Sequence, residues 1–179
     1  MDETDDHGVA RVVDRVAQAM FGRPIVTNVF RSLLVEAMVA EALGADWRWC
    51  SADFSLWDFE HVSGAKLEVK QSAARQIWAR PGAAASKAVF DIAHRKGGWS
   101  DGLWVEGRQR HADIYVLAHH PIADDSADHR RVDQWRFHVV HARDLPEAQS
   151  LSLKRLLPLA APLTASALPG AVAHLLESE

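Results

Sequence analysis

Cysteine is nearly absent from this sequence: its 179 residues include one, Cys50. No disulfide can close within the chain and no cysteine-rich zinc cluster can form, a usage that fits a reducing cytoplasm. Basic charge is not in excess either. Twenty Lys and Arg against 24 Asp and Glu leave a net charge of −4. Affinity for a polyanion therefore has to come from a local basic patch. Long hydrophobic runs are missing. The most apolar region, Leu156 to Leu176, is broken by Pro158, Pro162, Ser166, Pro169 and His174, so it reads as helices packed on a core and not as a membrane span. The opening MDETDDHG is acidic, the opposite of a targeting peptide. There is no Walker loop, dinucleotide glycine fingerprint, GxSxG elbow or HNH-type histidine cluster, which removes the commonest nucleotide-binding and hydrolase motifs. No repeat or linker divides the chain. At 48% hydrophobic and 25% charged it reads as one globular domain over residues 1–179, cytoplasmic and without membrane contact.

The informative stretch runs from Trp57 to Ala73, WDFEHVSGAKLEVKQSA. Leu67 and Val69 alternate with Lys66, Glu68 and Lys70, so period two sends Glu68 and Lys70 to one face of a strand and the apolar pair to the other. Phe54 to Glu60 is also β-prone, and the link His61 to Ala65 is short and contains Gly64. The two strands are expected to close as a hairpin, bringing Asp58 near Glu68 and Lys70. Two carboxylates and an amine so placed suit metal-assisted hydrolysis. Asp58 and Glu68 are hard oxygen donors for Mg²⁺ or Mn²⁺, and the Val69 carbonyl between Glu68 and Lys70 is a further ligand. Lys70 would orient the attacking water or stabilise charge on a phosphate.

Asp58 followed by Glu68-x-Lys70 across a hairpin resembles the PD-(D/E)xK nuclease superfamily, with Trp57 where the family usually has proline. The resemblance covers about residues 28–145. It implies an α/β restriction-endonuclease-like fold, a central mixed sheet flanked by helices. It also implies a Mg-dependent nuclease, with DNA as the expected nucleic-acid partner. In enzymes of this kind a glutamate on the first core helix often reaches the metal, and Glu36 is the candidate here. A homodimer would suit cutting both strands of a duplex.

Along the chain, residues 1–8 are expected to lack order and Val9 to Phe21 to form a helix. A second helix is expected from an Asn28 N-cap to Gly44, with Phe30, Leu33, Leu34, Ala37, Met38 and Leu43 as its apolar stripe. Trp47 to Cys50 reads as a short strand. Beyond the hairpin, Gln71, Arg75, Gln76 and Trp78 could contact phosphate or a base; the competing expectation makes Trp78 a core residue. Pro81 to Ala85 reads as a loop and Ala88 to Ala93 as a strand with Phe90 and Ile92 on one face. Arg95 to Gly102 reads as a mobile, glycine-rich loop. With Arg95, Lys96 and, just beyond, Arg108, it is the best local candidate for a DNA-contacting arm. Ala112 to Ala118 and Gln134 to Val140 read as strands. His119 and His120, as strand neighbours, point to opposite faces and make an improbable metal pair. Residues 150–177 are expected to form closing helices.

Two other readings compete. The fold could serve as a non-catalytic nucleic-acid-binding or assembly module, which needs no metal. Alternatively, Asp58, Glu68 and Lys70 could be salt-bridged partners on an exposed hairpin, worth up to ~1 kcal/mol each. A nuclease needs them to converge in a concave site, whereas surface partners would lie flat on an open face.

Overall fold

The computed structural model describes residues 3–50, 55–80, 82–100 and 102–178. Phe54, Pro81 and Asp101, expected in a strand and two loops, lie outside the described residues. The elements in order are α1 (Glu3–Phe21), α2 (Arg31–Leu43), β1 (Trp47–Trp49), β2 (Phe59–His61), β3 (Lys66–Ala73), β4 (Val89–Asp91), β5 (Arg95–Ser100), β6 (Leu103–Gln109), β7 (Ile114–His120), β8 (Arg136–His141), β9 (Ser150–Ser152), α3 (Leu153–Leu156) and α4 (Leu168–Glu177). The chain is a mixed α/β protein built on a five-stranded sheet of order β1-β2-β3-β7-β8. The β3–β7 pair is parallel and the other neighbouring pairs are antiparallel.

The apolar alternation of β3 and the near-continuous apolar run of β7 explain why these strands sit inside the sheet. Their register pairs Leu67 with Ile114 and Val69 with Val116. These side chains join Phe137, Val35 and Val39 of α2, and Leu168 and Val172 of α4 in one core. The opposite face carries Tyr115, Leu117 and Val140, covered by Phe90, Ile92, Leu151 and Leu156 in a second core. A central strand covered on both faces is apolar at nearly every position, and β7 is buried throughout except at His119. Glu68 and Lys70 project on the second face, among residues brought in by the long connection from β3 to β7.

Several expectations need correction. α1 begins at Glu3, within the stretch expected to lack order, and its Val9, Val12, Val13 and Val16 stay more than half exposed. Asn28 does not cap α2. Phe30 is the cap residue, Thr27 Oγ1 accepts the Phe30 N–H (3.2 Å), and Asn28 instead donates to Gln76 Oε1 (2.7 Å). Gly44 does end α2, in the left-handed region (φ 76°) with its N–H on the Ala40 carbonyl. The buried residues of α2 are Arg31, Val35 and Val39, one step round the helix from the expected stripe, and Leu33 is exposed. Arg95 to Gly102 is not a free loop: Arg95–Ser100 is β5, which forms a hairpin with β6. Ser150–Ser152 is a strand paired with β4, not helix. Trp78 is exposed, so it is no core residue.

Candidate active site

The hairpin closes as its sequence demands. β2 and β3 pair through Phe59–Leu67 and Glu60–Lys66, and the turn passes through Gly64 at φ 92°, a conformation that costs other residues more. Asp58 stands one residue before β2. Its N–H donates to the Leu67 carbonyl (3.0 Å), and its Oδ2 accepts the Val69 N–H (2.6 Å). Asp58 thus takes over from β2 where that strand stops. In a strand the N–H and C=O of one residue share an edge, so the Val69 carbonyl faces the same side as its N–H, toward Asp58. The Val69 side chain itself is buried in the first core. Trp57 packs against the second core and lies under the Lys66 ammonium, 4.4 Å from the ring centroid.

Glu68 and Lys70, two apart on β3, share a face and form an ion pair, with side chains only 14% and 24% exposed. Together with Asp58, Arg95, Gly97 and Trp104 they line a cleft of about 360 Å³ between the sheet and the β5–β6 hairpin. The three side chains therefore converge in a concavity and do not lie flat on an open hairpin. Burial pushes the Glu68 carboxyl up to about 7, against the pull of the Lys70 ammonium, and the nearby Asp58 charge pushes the same way. Asp58 is also raised, by burial above all, although the Val69 N–H and Lys70 favour its charged form. Glu36, on α2, accepts a hydrogen bond from Trp49 Nε1 (3.0 Å). Its carboxyl is raised by burial and then by the charge of Asp58, with Lys70 pulling it down. Three carboxyl groups thus hold their protons more tightly than in water, because burial strips their charged forms of solvent and the Lys70 ammonium does not make up the loss.

The remaining predicted residues divide. Arg95 lines the cleft and pairs with Asp91 (2.7 Å). Lys96 is exposed beside it, where the β5–β6 register shifts between Arg95 and Gly97. Arg108 is exposed on β6 and borders a separate hollow with His94 and Glu147. Gln71, Arg75 and Gln76 do not line the cleft. Gln71 and Gln76 accept hydrogen bonds from the buried Arg31, and Arg75 pairs with Asp125 (2.5 Å). A larger hollow of about 610 Å³ lies on α2, against Leu34, Ala37 and Met38. It is mostly apolar, with Glu41 as its one carboxylate, and lacks the converging carboxylates that chemistry needs.

Two neighbours of the site escaped the sequence reading. Tyr115 stands beside Glu68 in register, buried, its phenol raised by desolvation and by Glu68. Only the parallel β3–β7 pairing reveals it. Trp104 reaches the cleft because β5 and β6 pair, and no periodicity in LWVEGRQ announced it.

Among the described residues, no group of three or more His, Cys, Asp or Glu side chains gathers to hold a metal ion. The donor set nonetheless suits Mg²⁺, which is commonly bound through one or two carboxylates while waters and substrate phosphates complete its shell. The carboxyl groups of Asp58 and Glu68 each use one oxygen, on the Val69 N–H and on Lys70, and no other hydrogen bond to either carboxyl group is found among the described residues. No protein-family model matches the chain, and no curated protein matches it significantly.

Proposed function

We propose that the protein is a metal-dependent nuclease of the PD-(D/E)xK type on a restriction-endonuclease-like fold, cleaving phosphodiester bonds of nucleic acid, DNA foremost. The observation that carries the reading is the meeting of Asp58, Glu68 and Lys70 in one cleft, with carboxyls that burial leaves short of positive charge. Asp58, Glu68 and the Val69 carbonyl would hold Mg²⁺ or Mn²⁺. A divalent ion there would acidify a water and neutralise charge on the scissile phosphate. Lys70, paired with Glu68, would orient the attacking water and stabilise charge gathering on the phosphate. Glu36 would act on the site through Asp58, whose charge it feels. Arg95 would draw the phosphate into the cleft.

Cleavage of supercoiled plasmid and of single-stranded DNA, with Mg²⁺ or Mn²⁺ and with chelator, tests the reading. The wild type cuts only with metal, and Glu68→Ala and Lys70→Ala each lose at least about a hundredfold, a scale in keeping with removing a group that acts in the transition state. Cutting that survives both substitutions sinks the assignment.

A second reading, a nucleic-acid-binding or assembly module on the same fold, has one observation in its favour. Asp58 spends an oxygen on the Val69 N–H and so already has a structural use. Titration calorimetry separates the two readings: the nuclease binds Mg²⁺ or Mn²⁺ and loses that binding in Glu68→Ala, whereas the module binds neither.

A further inference from the structure

The cleft has an aromatic wall that metal chemistry does not require. Trp104 and Trp99 face each other across the β5–β6 hairpin, 5.6 Å between ring centroids and nearly perpendicular at 75°. Both are about half exposed, Trp99 46% and Trp104 50%. The hairpin is hung on the body by the bridge between Ser55 and Trp99 and by the Leu56 N–H on the Trp99 carbonyl (3.3 Å). Gly97 sets the position of the Trp104 ring. A Cβ at 97 would meet the Val105 carbonyl oxygen and come within 3.1 Å of that ring. The missing side chain therefore lets the indole lie close over β5, on the hairpin wall that also carries Arg95, in the cleft that Lys70 lines from β3.

A half-exposed indole held beside buried carboxylates offers an unstacked base a flat face. Stacking on such a ring is tolerant of sequence and needs no large basic surface. That matches a chain of net charge −4, whose cations near the cleft are few: Lys70, Arg95 and the exposed Lys96. A base within a duplex shows only its edges, so Trp104 can stack on one only if the strand is single or the base is turned out. A cleft of about 360 Å³ is at the small end of ligand pockets and takes something of the size of one nucleotide unit.

We propose that Trp104, seated by Gly97 and flanked by Trp99, is a base-stacking platform that makes single-stranded nucleic acid the ligand of this cleft. The inference rests on the nuclease reading for which end of the nucleotide faces Glu68, but its test does not need cleavage. Fluorescence anisotropy of a labelled oligothymidylate and of a blunt duplex, in chelator, compares the wild type with Trp104→Ala, Trp104→Phe and Gly97→Val. The wild type binds the single strand more tightly than the duplex. Trp104→Ala weakens single-strand binding roughly tenfold or more, Trp104→Phe retains most of it, and Gly97→Val, whose Cβ collides with the Val105 carbonyl and shifts the hairpin that carries the ring, loses binding as well. An unchanged affinity in Trp104→Ala, or a duplex bound as tightly as the single strand, overturns the proposal. Metal-dependent cutting without single-strand preference sinks the platform and leaves the nuclease. Preference lost in Trp104→Ala, in a protein that never cuts, sinks the nuclease and leaves the platform.

Discussion

Glu68 shows how far one buried carboxyl can tilt a protein's response to pH. Its folded value is about 7, above the ordinary 4.5, so between those values the folded state binds more protons than the unfolded chain. Its contribution to stability is then fully present below about pH 4.5 and is lost as pH rises through 7. At about 1.4 kcal/mol per unit, the loss is on the order of 3 kcal/mol. His119 and His129 act in the opposite sense. Burial lowers both to about 4 from 6.5, so each favours the unfolded state increasingly as pH falls from 6.5 to 4. The diagnostic quantity is therefore the difference between wild type and Glu68→Gln in urea melts from pH 5 to 8. In chelator the wild type loses stability relative to the variant progressively from pH 5 to about 7, and the difference levels off by pH 8. On the proposed metal reading, magnesium added at pH 8 should restore the wild type alone, because a cation held by Asp58 and Glu68 would offset the cost of their buried charges. A difference between wild type and variant that stays constant from pH 5 to 8 would contradict the burial argument. Glu68 and Lys70 were legible as neighbours on one face from period two, but the burial that shifts Glu68 was not, because it comes from residues far along the chain.

At the scale of elements, the joint between α2 and β3 is where expectation and structure part. Gln71 and Gln76 looked like contacts for a phosphate or base; both instead accept hydrogen bonds from Arg31, which is 9% exposed. Gln71→Ala leaves part of a buried guanidinium without a partner and should cost about 1–3 kcal/mol in chemical denaturation. Its effect on oligonucleotide affinity should be within about twofold under conditions where the variant is folded, since the side chain does not line the cleft. The cap of α2 follows the same logic. Thr27 Oγ1, not Asn28, accepts the N–H of Phe30, the residue that opens α2, so Thr27→Ala leaves that N–H without its partner and should cost about 1 kcal/mol. Asn28→Ala should act through Gln76 and not through the helix end. Propensity ranks both residues as caps, and the contest is decided by Gln76, which tertiary structure brings to Asn28. The Gly44 end of α2 needs no such help and was readable, because its left-handed backbone is a local requirement.

The whole molecule divides into a sheet covered on both faces and a helix that covers little. α1 leaves Val9, Val12, Val13 and Val16 exposed, so it takes little part in burying the core. A chain beginning at Met20 keeps Phe21, whose ring meets Phe30 (5.8 Å) and whose carbonyl accepts from Arg130 Nη1 (2.6 Å). It should melt within about 2 °C of the full chain at low protein concentration, as expected when only exposed groups are removed. A drop of 5 °C or more at every concentration would mean that α1 packs on its own domain. The helical period of α1 was plain in the sequence, but period alone does not say whether an apolar face is covered.

What the sequence by itself determined is local: the alternation of β3, the Gly64 turn, the glycine ending α2, the unbroken apolar run of β7, and Glu68 and Lys70 on one face. Each rests on backbone sterics or on side-chain period within a few residues. What only the tertiary structure decided is the company those residues keep. The parallel pairing of β3 with β7 sets Tyr115 beside Glu68, and the folding of β5 on β6 turns an apparent loop into a wall carrying Trp104. The physical reason is the range of the forces involved. Burial, and the proton affinities it shifts, depends on surfaces that meet only after distant segments have packed, and the order of residues along one strand does not encode that meeting.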